Sequence, residues 1–197
     1  MARRDFDSLS TEQFRKHMRP YAIAIYRQLW PGCDVADLRT DGCKVHILDK
    51  EFGIDALVNM RSGQWISLQE KYRENMFLAF GDFTQEYKNA DGTPYEAPGE
   101  WFKLAAQLYF YGWANADATG FAKWLLMDIP RYKLLIEKRG GIEHMGKKHY
   151  NWTHGRASFY AIPLEDLKSA TVMDSEMFPA WLRGRNNMRR PQRGDWK

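Results

Sequence analysis

The segment from Phe52 to Glu74, FGIDALVNMRSGQWISLQEKYRE, constrains the fold more than any other part of the chain. Two runs rich in Ile, Leu, Val, Trp and Tyr flank Arg61-Ser62-Gly63, which reads as strand, turn, strand. A three-residue hairpin loop commonly closes on a residue in the left-handed region, and Gly63 holds that third position. The turn therefore predicts Met60 opposite Gln64 and Asp55 opposite Gln69. Side chains alternate across a strand. Asp55, Leu57, Ser67, Gln69 and Lys71 then share one face, and Ile54, Ala56, Val58, Ile66 and Leu68 form an apolar opposite face. A two-residue turn at Ser62-Gly63 would set Asn59 against Ile66 and move Lys71 to the other face, so the longer loop is preferred.

In the preferred register three complementary groups meet. Asp55 offers a hard oxygen to Mg²⁺ or Mn²⁺, and Mg²⁺ binds through one or two carboxylates, waters and substrate phosphate oxygens. Gln69 adds a neutral carbonyl oxygen. Lys71 is suited to orient the attacking water or to stabilise charge in the transition state of phosphodiester hydrolysis, while a metal lowers the pKa of the water. Glu70 is expected to matter little to metal affinity.

Gly53-Ile54-Asp55 followed by Gln69-Glu70-Lys71 resembles the core motif of the PD-(D/E)XK nuclease superfamily, in the Gln variant found in Mrr-type restriction endonucleases. Downstream, Gln107-Leu108-Tyr109-Phe110-Tyr111 is similar to the QxxxY motif of RecB-like members, which lies on a helix, where a spacing of four puts Gln107 and Tyr111 on one face. The resemblance implies a restriction-endonuclease-like α/β fold with a central mixed sheet flanked by helices. It also implies a Mg²⁺- or Mn²⁺-dependent deoxyribonuclease. Asp55 and Gln69 would be metal ligands, Lys71 the catalytic cation, and Gln107 with Tyr111 the supporting groups. Gln69 replaces the acid of the commoner motif, and Lys71 and Gln107 stand 36 positions apart, implying an inserted strand or hairpin. The missing charge could come from Glu86, in the inserted segment, or from Glu12, on the first helix; the two rank level. The alternative is a DNA-binding or assembly protein that keeps the fold without cleavage. RNA is not excluded as a substrate, and a homodimer is compatible with the reading.

Charge distribution points the same way. The 197 residues carry a formal net charge of +4, with a sequence pI near 9.0. The segment 183–197 holds six Lys and Arg, Arg185, Arg189 and Arg190 among them, against Asp195 alone. It reads as a flexible basic tail to one domain spanning 1–182. A second basic and aromatic stretch, EKRGGIEHMGKKHYNWTHGR, offers Lys147, Lys148 and Arg156 to phosphates, and Trp152 to bases. His144, His149 and His154 recur there at a spacing of five, which matches neither the helical His pairs nor the Cys combinations of zinc sites. Cys33 and Cys43 are too few for the iron–sulfur cluster that some RecB-like nucleases carry. No apolar run approaches the length of a membrane span and no signal peptide is evident, so a cytoplasmic protein is expected.

For the remaining elements, periodicity predicts a helix from Ser10 to about Trp30 that Pro20 kinks or divides, and a strand at KVHILD that opens a three-stranded meander with the hairpin. A strand or hairpin is expected over 76–88, a loop at NADGTPYEAPG, and a helix from Gly99 to about Asn115. FAKWLLMDI reads as a buried strand, followed by a helix starting at Pro130. ASFYAIPLEDL reads as a late strand entering a short helix.

Overall fold

A computed structural model of the protein describes residues 11–38, 46–152 and 156–182. The basic tail with Arg185, Arg189 and Arg190, together with Cys43 and His154, lies outside the described residues. Among the described residues the chain is mixed α/β, built on a six-stranded mixed sheet and a second, four-stranded sheet.

Helix α1 (Thr11–Leu29) carries Phe14, Met18, Ala22, Tyr26 and Leu29 as a buried stripe three to four residues apart, the spacing of one helix face. It remains one element through Pro20. Strands β1 (Asp34–Asp37), β2 (Ala56–Asn59) and β3 (Trp65–Arg73) form an antiparallel meander. The hairpin register is the expected one, running from Asn59↔Trp65 to Ala56↔Leu68, with the Met60 N–H on Gln64 O at 2.8 Å. Gly63 closes the loop at φ +81°, where a Cβ would be strained.

KVHILD does not supply the first strand of the meander. His46–Phe52 is helix α2, and β1 comes instead from the DVAD segment before it. Apolar residues spaced as Ile47, Leu48 and Phe52 fit either structure over so short a run.

Gly99 to Asn115 is the larger correction. Only Glu100–Lys103 is helical (α3), and Leu108–Ala114 is strand β6, parallel to β3 with Gln69 opposite Tyr109 and Lys71 opposite Tyr111. Six of the seven residues of β6 are fully buried. A strand covered on both faces reads as a continuous apolar run, so its alternation is lost from the sequence. Strand β7 (Phe121–Asp128) and β10 (Thr171–Asp174) complete the first sheet in the order β1-β2-β3-β6-β7-β10. Helix α4 (Ile129–Lys138) starts as expected, capped by the Asp128 side chain on the Arg131 N–H at 2.9 Å.

The inserted segment supplies two strands of a second sheet, and the other two come from residues 147–163, downstream of the first sheet's central strands. Strands β4 (Asp82–Asn89), β5 (Ala97–Pro98), β8 (Lys147–Asn151) and β9 (Ala157–Pro163) pair in the order β5-β4-β9-β8. Lys147 and Lys148 thus belong to a strand and not to a loop. As expected, β9 runs into a short 3-10 turn at Leu164–Leu167.

The two faces of the first sheet bury different cores. One face, with Ala56, Val58, Leu68 and Phe110, packs on Tyr26 and Leu29 of α1 and on Phe178. The other, with Tyr109, Tyr111 and Trp113, packs on Phe83 of the second sheet and on Tyr132 and Ile136 of α4. No helix among the described residues is long and apolar enough to cross a membrane.

Candidate active site

Alternation along β3 sends Gln69 and Lys71 to the second-sheet side and Glu70 to the α1 side. Gln69 is buried, and its Oε1 has no hydrogen-bond partner. It lines a cleft of about 270 Å³ whose walls also include Asp49, Glu86, Glu100, Lys50 and Lys103. Gly53 forms part of the same wall at φ +55°, and a Cβ there would lie 3.3 Å from Gln69 Oε1. The missing side chain at 53 is what leaves the amide oxygen room.

Glu100 is held firmly in this cleft. Its Oε1 accepts hydrogen bonds from Tyr109 Oη at 2.5 Å and from Gln85 Nε2 at 3.0 Å. Burial, with the neighbouring Glu100 carboxylate, drives the Tyr109 hydroxyl well above its ordinary range, so it stays a proton donor to Glu100.

Of the sequence-predicted residues, Gln69 and Glu86 come together at the cleft. Asp55, Lys71, Gln107, Tyr111 and Glu12 are not among its walls. Asp55 is fully buried one residue before β2, and its Oδ2 accepts the Glu70 backbone N–H at 2.8 Å. Lys71 Nζ donates to Thr84 O of β4 at 3.1 Å. Tyr111 Oη meets Thr84 Oγ1 at 2.9 Å, tying β6 to the same residue.

Gln107 and Tyr111 are not on one helix face. Gln107 precedes β6, and four residues of extended chain span roughly 13 Å. Gln107 instead staples the start of β6 to β3, its side-chain Oε1 accepting the Ser67 N–H at 2.9 Å while its backbone N–H donates to Ser67 Oγ at 3.0 Å. Glu12 lies on α1, which covers the opposite face of the sheet, and forms an ion pair with Arg15 at 3.1 Å.

Glu70 has a structural role that its place in the motif did not signal. It is buried against α1, accepts Tyr26 Oη at 2.6 Å and forms an ion pair with Arg19. Arg19 and Arg15 also reach Asp37 of β1, at 3.6 and 3.5 Å. This buried charge network fixes α1 to β1 and β3. Burial also raises the hydroxyls of Tyr26 and Tyr72, which keeps both protonated beside it.

Asp49, Lys50, Glu100 and Lys103 were not foreseen as cleft residues. Asp49 was hidden in a segment read as strand. Glu100 follows Gly99 in a first helical turn, a position that ordinarily signals only a helix start.

Among the described residues, no three His, Cys, Asp or Glu side chains form a group that could hold a metal ion. The donors present suit a hydrated ion instead: one orphaned amide oxygen, a carboxylate across the cleft, and space for water and phosphate oxygens. Comparisons with protein-family models, curated proteins and solved structures return no match to this chain.

Proposed function

We propose that the protein is a PD-(D/E)XK-like, Mg²⁺- or Mn²⁺-dependent nuclease acting on DNA, with a restriction-endonuclease-like sheet accompanied by a second sheet to which the inserted segment gives two of the four strands. The observation that carries the reading is the buried, unpartnered Oε1 of Gln69 on a cleft that it shares with Glu86. A buried polar atom left without a partner costs about 1–3 kcal/mol, and a function at the cleft accounts for that cost. The central mixed sheet with helices, and the hairpin register around Asp55, Gln69 and Lys71, add support.

In this reading Gln69 and Glu86 would hold the ion, which would supply Lewis-acid chemistry to the phosphodiester. Asp55 fixes β3 through the Glu70 amide, so that Gln69 faces the cleft. Lys50 and Lys103 on the rim attract the phosphate backbone. Lys71, on the same strand face as Gln69, supplies positive charge to the phosphoryl oxygens once its bond to Thr84 O is exchanged for substrate.

Two observations favour the second reading, a nucleic-acid-binding protein without turnover. Lys71 is engaged by β4, and Asp55 is absent from the cleft wall. Incubation with single-stranded and duplex DNA and with RNA, in Mg²⁺, Mn²⁺ and chelator, decides between them. Metal-dependent cleavage lost in Gln69→Ala supports the nuclease. Binding without cleavage of any substrate supports the alternative.

A further inference from the structure

From the cleft outward, aromatic rings and cations follow one another across the edge of the second sheet. Phe102 belongs to α3, the helix that gives Glu100 and Lys103 to the cleft. Its ring lies 5.1 Å from that of Tyr87. Lys148 Nζ stands 5.5 Å from the Tyr87 ring and 5.2 Å from the Tyr150 ring, bridging the two. Tyr150 is 5.5 Å from Trp152, and Arg156 covers Trp152 at 5.0 Å. Sheet register makes the path continuous, since Tyr150 of β8 pairs with Ser158 of β9, which pairs with Lys88 of β4, one residue beyond Tyr87.

Packing explains only part of this row. Tyr87 is half-buried and braced by Tyr160 at 5.1 Å, as a core-edge residue would be. Phe102, Tyr150 and Trp152 are 52%, 40% and 68% exposed. Three large rings in sequence on a rim, each presenting area to solvent, contribute little to the fold and much to a ligand with flat faces.

We infer that this row is a stacking track for single-stranded nucleic acid, which leads an unpaired strand across β8 and β4 to the cleft. The inference rests on the proposed phosphodiester chemistry for its direction and names the substrate class: a single strand, or the unpaired flank of a duplex. Only splayed bases can stack on exposed rings, and such stacking is sequence-tolerant because every base has a π-face. The local charges sharpen the expectation. Lys148 is paired with Asp91 at 2.6 Å and Lys88 with Glu96 at 2.6 Å, so two of the cations beside the rings carry their own counter-charge. The track therefore grips bases more than phosphates, and its contribution to binding has a shallow salt dependence.

The test uses the intact chain in chelator, so that binding is read without cleavage, with dye-labelled oligodeoxythymidine and a blunt duplex as probes. Trp152→Ala and Tyr150→Ala are each expected to lower the ratio of single-strand to duplex affinity about tenfold. Trp152→Phe, which keeps a ring, restores most of it, and the salt slope for the single strand changes little. Circular dichroism checks that each variant is folded. An unchanged ratio in folded Trp152→Ala, a loss shared equally by the duplex, or a wild type that does not bind the single strand overturns the track. The nuclease reading fails separately. A selective loss of single-strand affinity in a protein that cleaves nothing in Mg²⁺ or Mn²⁺ supports the track and sinks the nuclease. Metal-dependent cleavage with an unmoved affinity ratio does the reverse.

Discussion

The carboxylate of Asp55 and the backbone amide of Glu70 are hydrogen-bonded at 2.8 Å across the start of the hairpin, inside the protein. A charged acceptor on a buried amide contributes about 1.5–3 kcal/mol. Asp55→Ala should therefore lower the unfolding free energy by about 2 kcal/mol, read as a shift in urea midpoint. Asp55→Asn keeps an acceptor oxygen and should lose less. An Asp55→Ala protein as stable as the wild type would show that this bond does not hold the strand.

Glu70→Gln is the more damaging change. It removes the buried charge opposite Arg19 and leaves that guanidinium with Asp37 at 3.6 Å. Breaking a buried pair from one side costs about 3–5 kcal/mol. Chemical denaturation should show a loss near 3 kcal/mol, and a loss below 1 kcal/mol would mean that the pair is dispensable.

Gln69→Glu should keep or raise affinity for Mg²⁺, because a carboxylate replaces a neutral oxygen in a cleft that already contains Glu86. Gln69→Ala should weaken it. Isothermal titration of Mg²⁺ and Mn²⁺ measures both. If folded Gln69→Ala binds metal as well as the wild type, the cleft is not the metal site.

Lys71→Ala should abolish turnover while leaving DNA affinity nearly intact, since the proposed role of the ammonium is in the transition state. The lost bond to Thr84 O removes about 1 kcal/mol of stability. Single-turnover cleavage alongside equilibrium binding separates the two effects, and normal cleavage would remove Lys71 from the chemistry.

The Lys148–Asp91 pair gives the second sheet a defined pH window. The hydrogen bond from Lys148, helped by Ser158, holds Asp91 below its ordinary value of 3.8, and the same bond lifts Lys148 above 10.5. A lowered acid contributes stability that is present above 3.8 and is lost as pH falls through its folded value. A raised base contributes stability that is complete below 10.5 and is lost as pH rises through its folded value. The deficit in melting temperature of Asp91→Asn should be flat across neutral pH and shrink on acidification below 3.8. A deficit that persists at pH 2 would show that Asp91 acts through something other than its charge.

Local signals made the hairpin legible. Gly63 marked the loop, and the alternation of Ala56 and Val58 with Leu57 and Asn59 fixed the register. Strand β7, helix α4 and the β9 turn were equally readable, because Asp128, Pro130 and Pro163 punctuate them. Strand β6 was not, since it is buried on both faces and shows no period. The cleft was half legible: Gln69 and Glu86 carried a chemical motive, whereas Asp49, Glu100 and Lys103 reach it only through the folding of α2 and α3. Lys147 and Lys148 looked like loop cations because a short edge strand tolerates charge at its exposed positions.

The parallel pairing of β3 with β6 encloses residues 74–107 between two neighbouring strands. That chain must close on itself before the central ladder can form, and β4 cannot complete its own sheet until β9, far downstream, arrives to pair with it. Such non-local topology slows folding, because the loop entropy is lost before the contacts are gained. The hairpin of β2 and β3, with its short turn, can form first and alone. During synthesis the Gln69 strand would then wait, half-paired, for most of the chain to emerge before its second neighbour was in place.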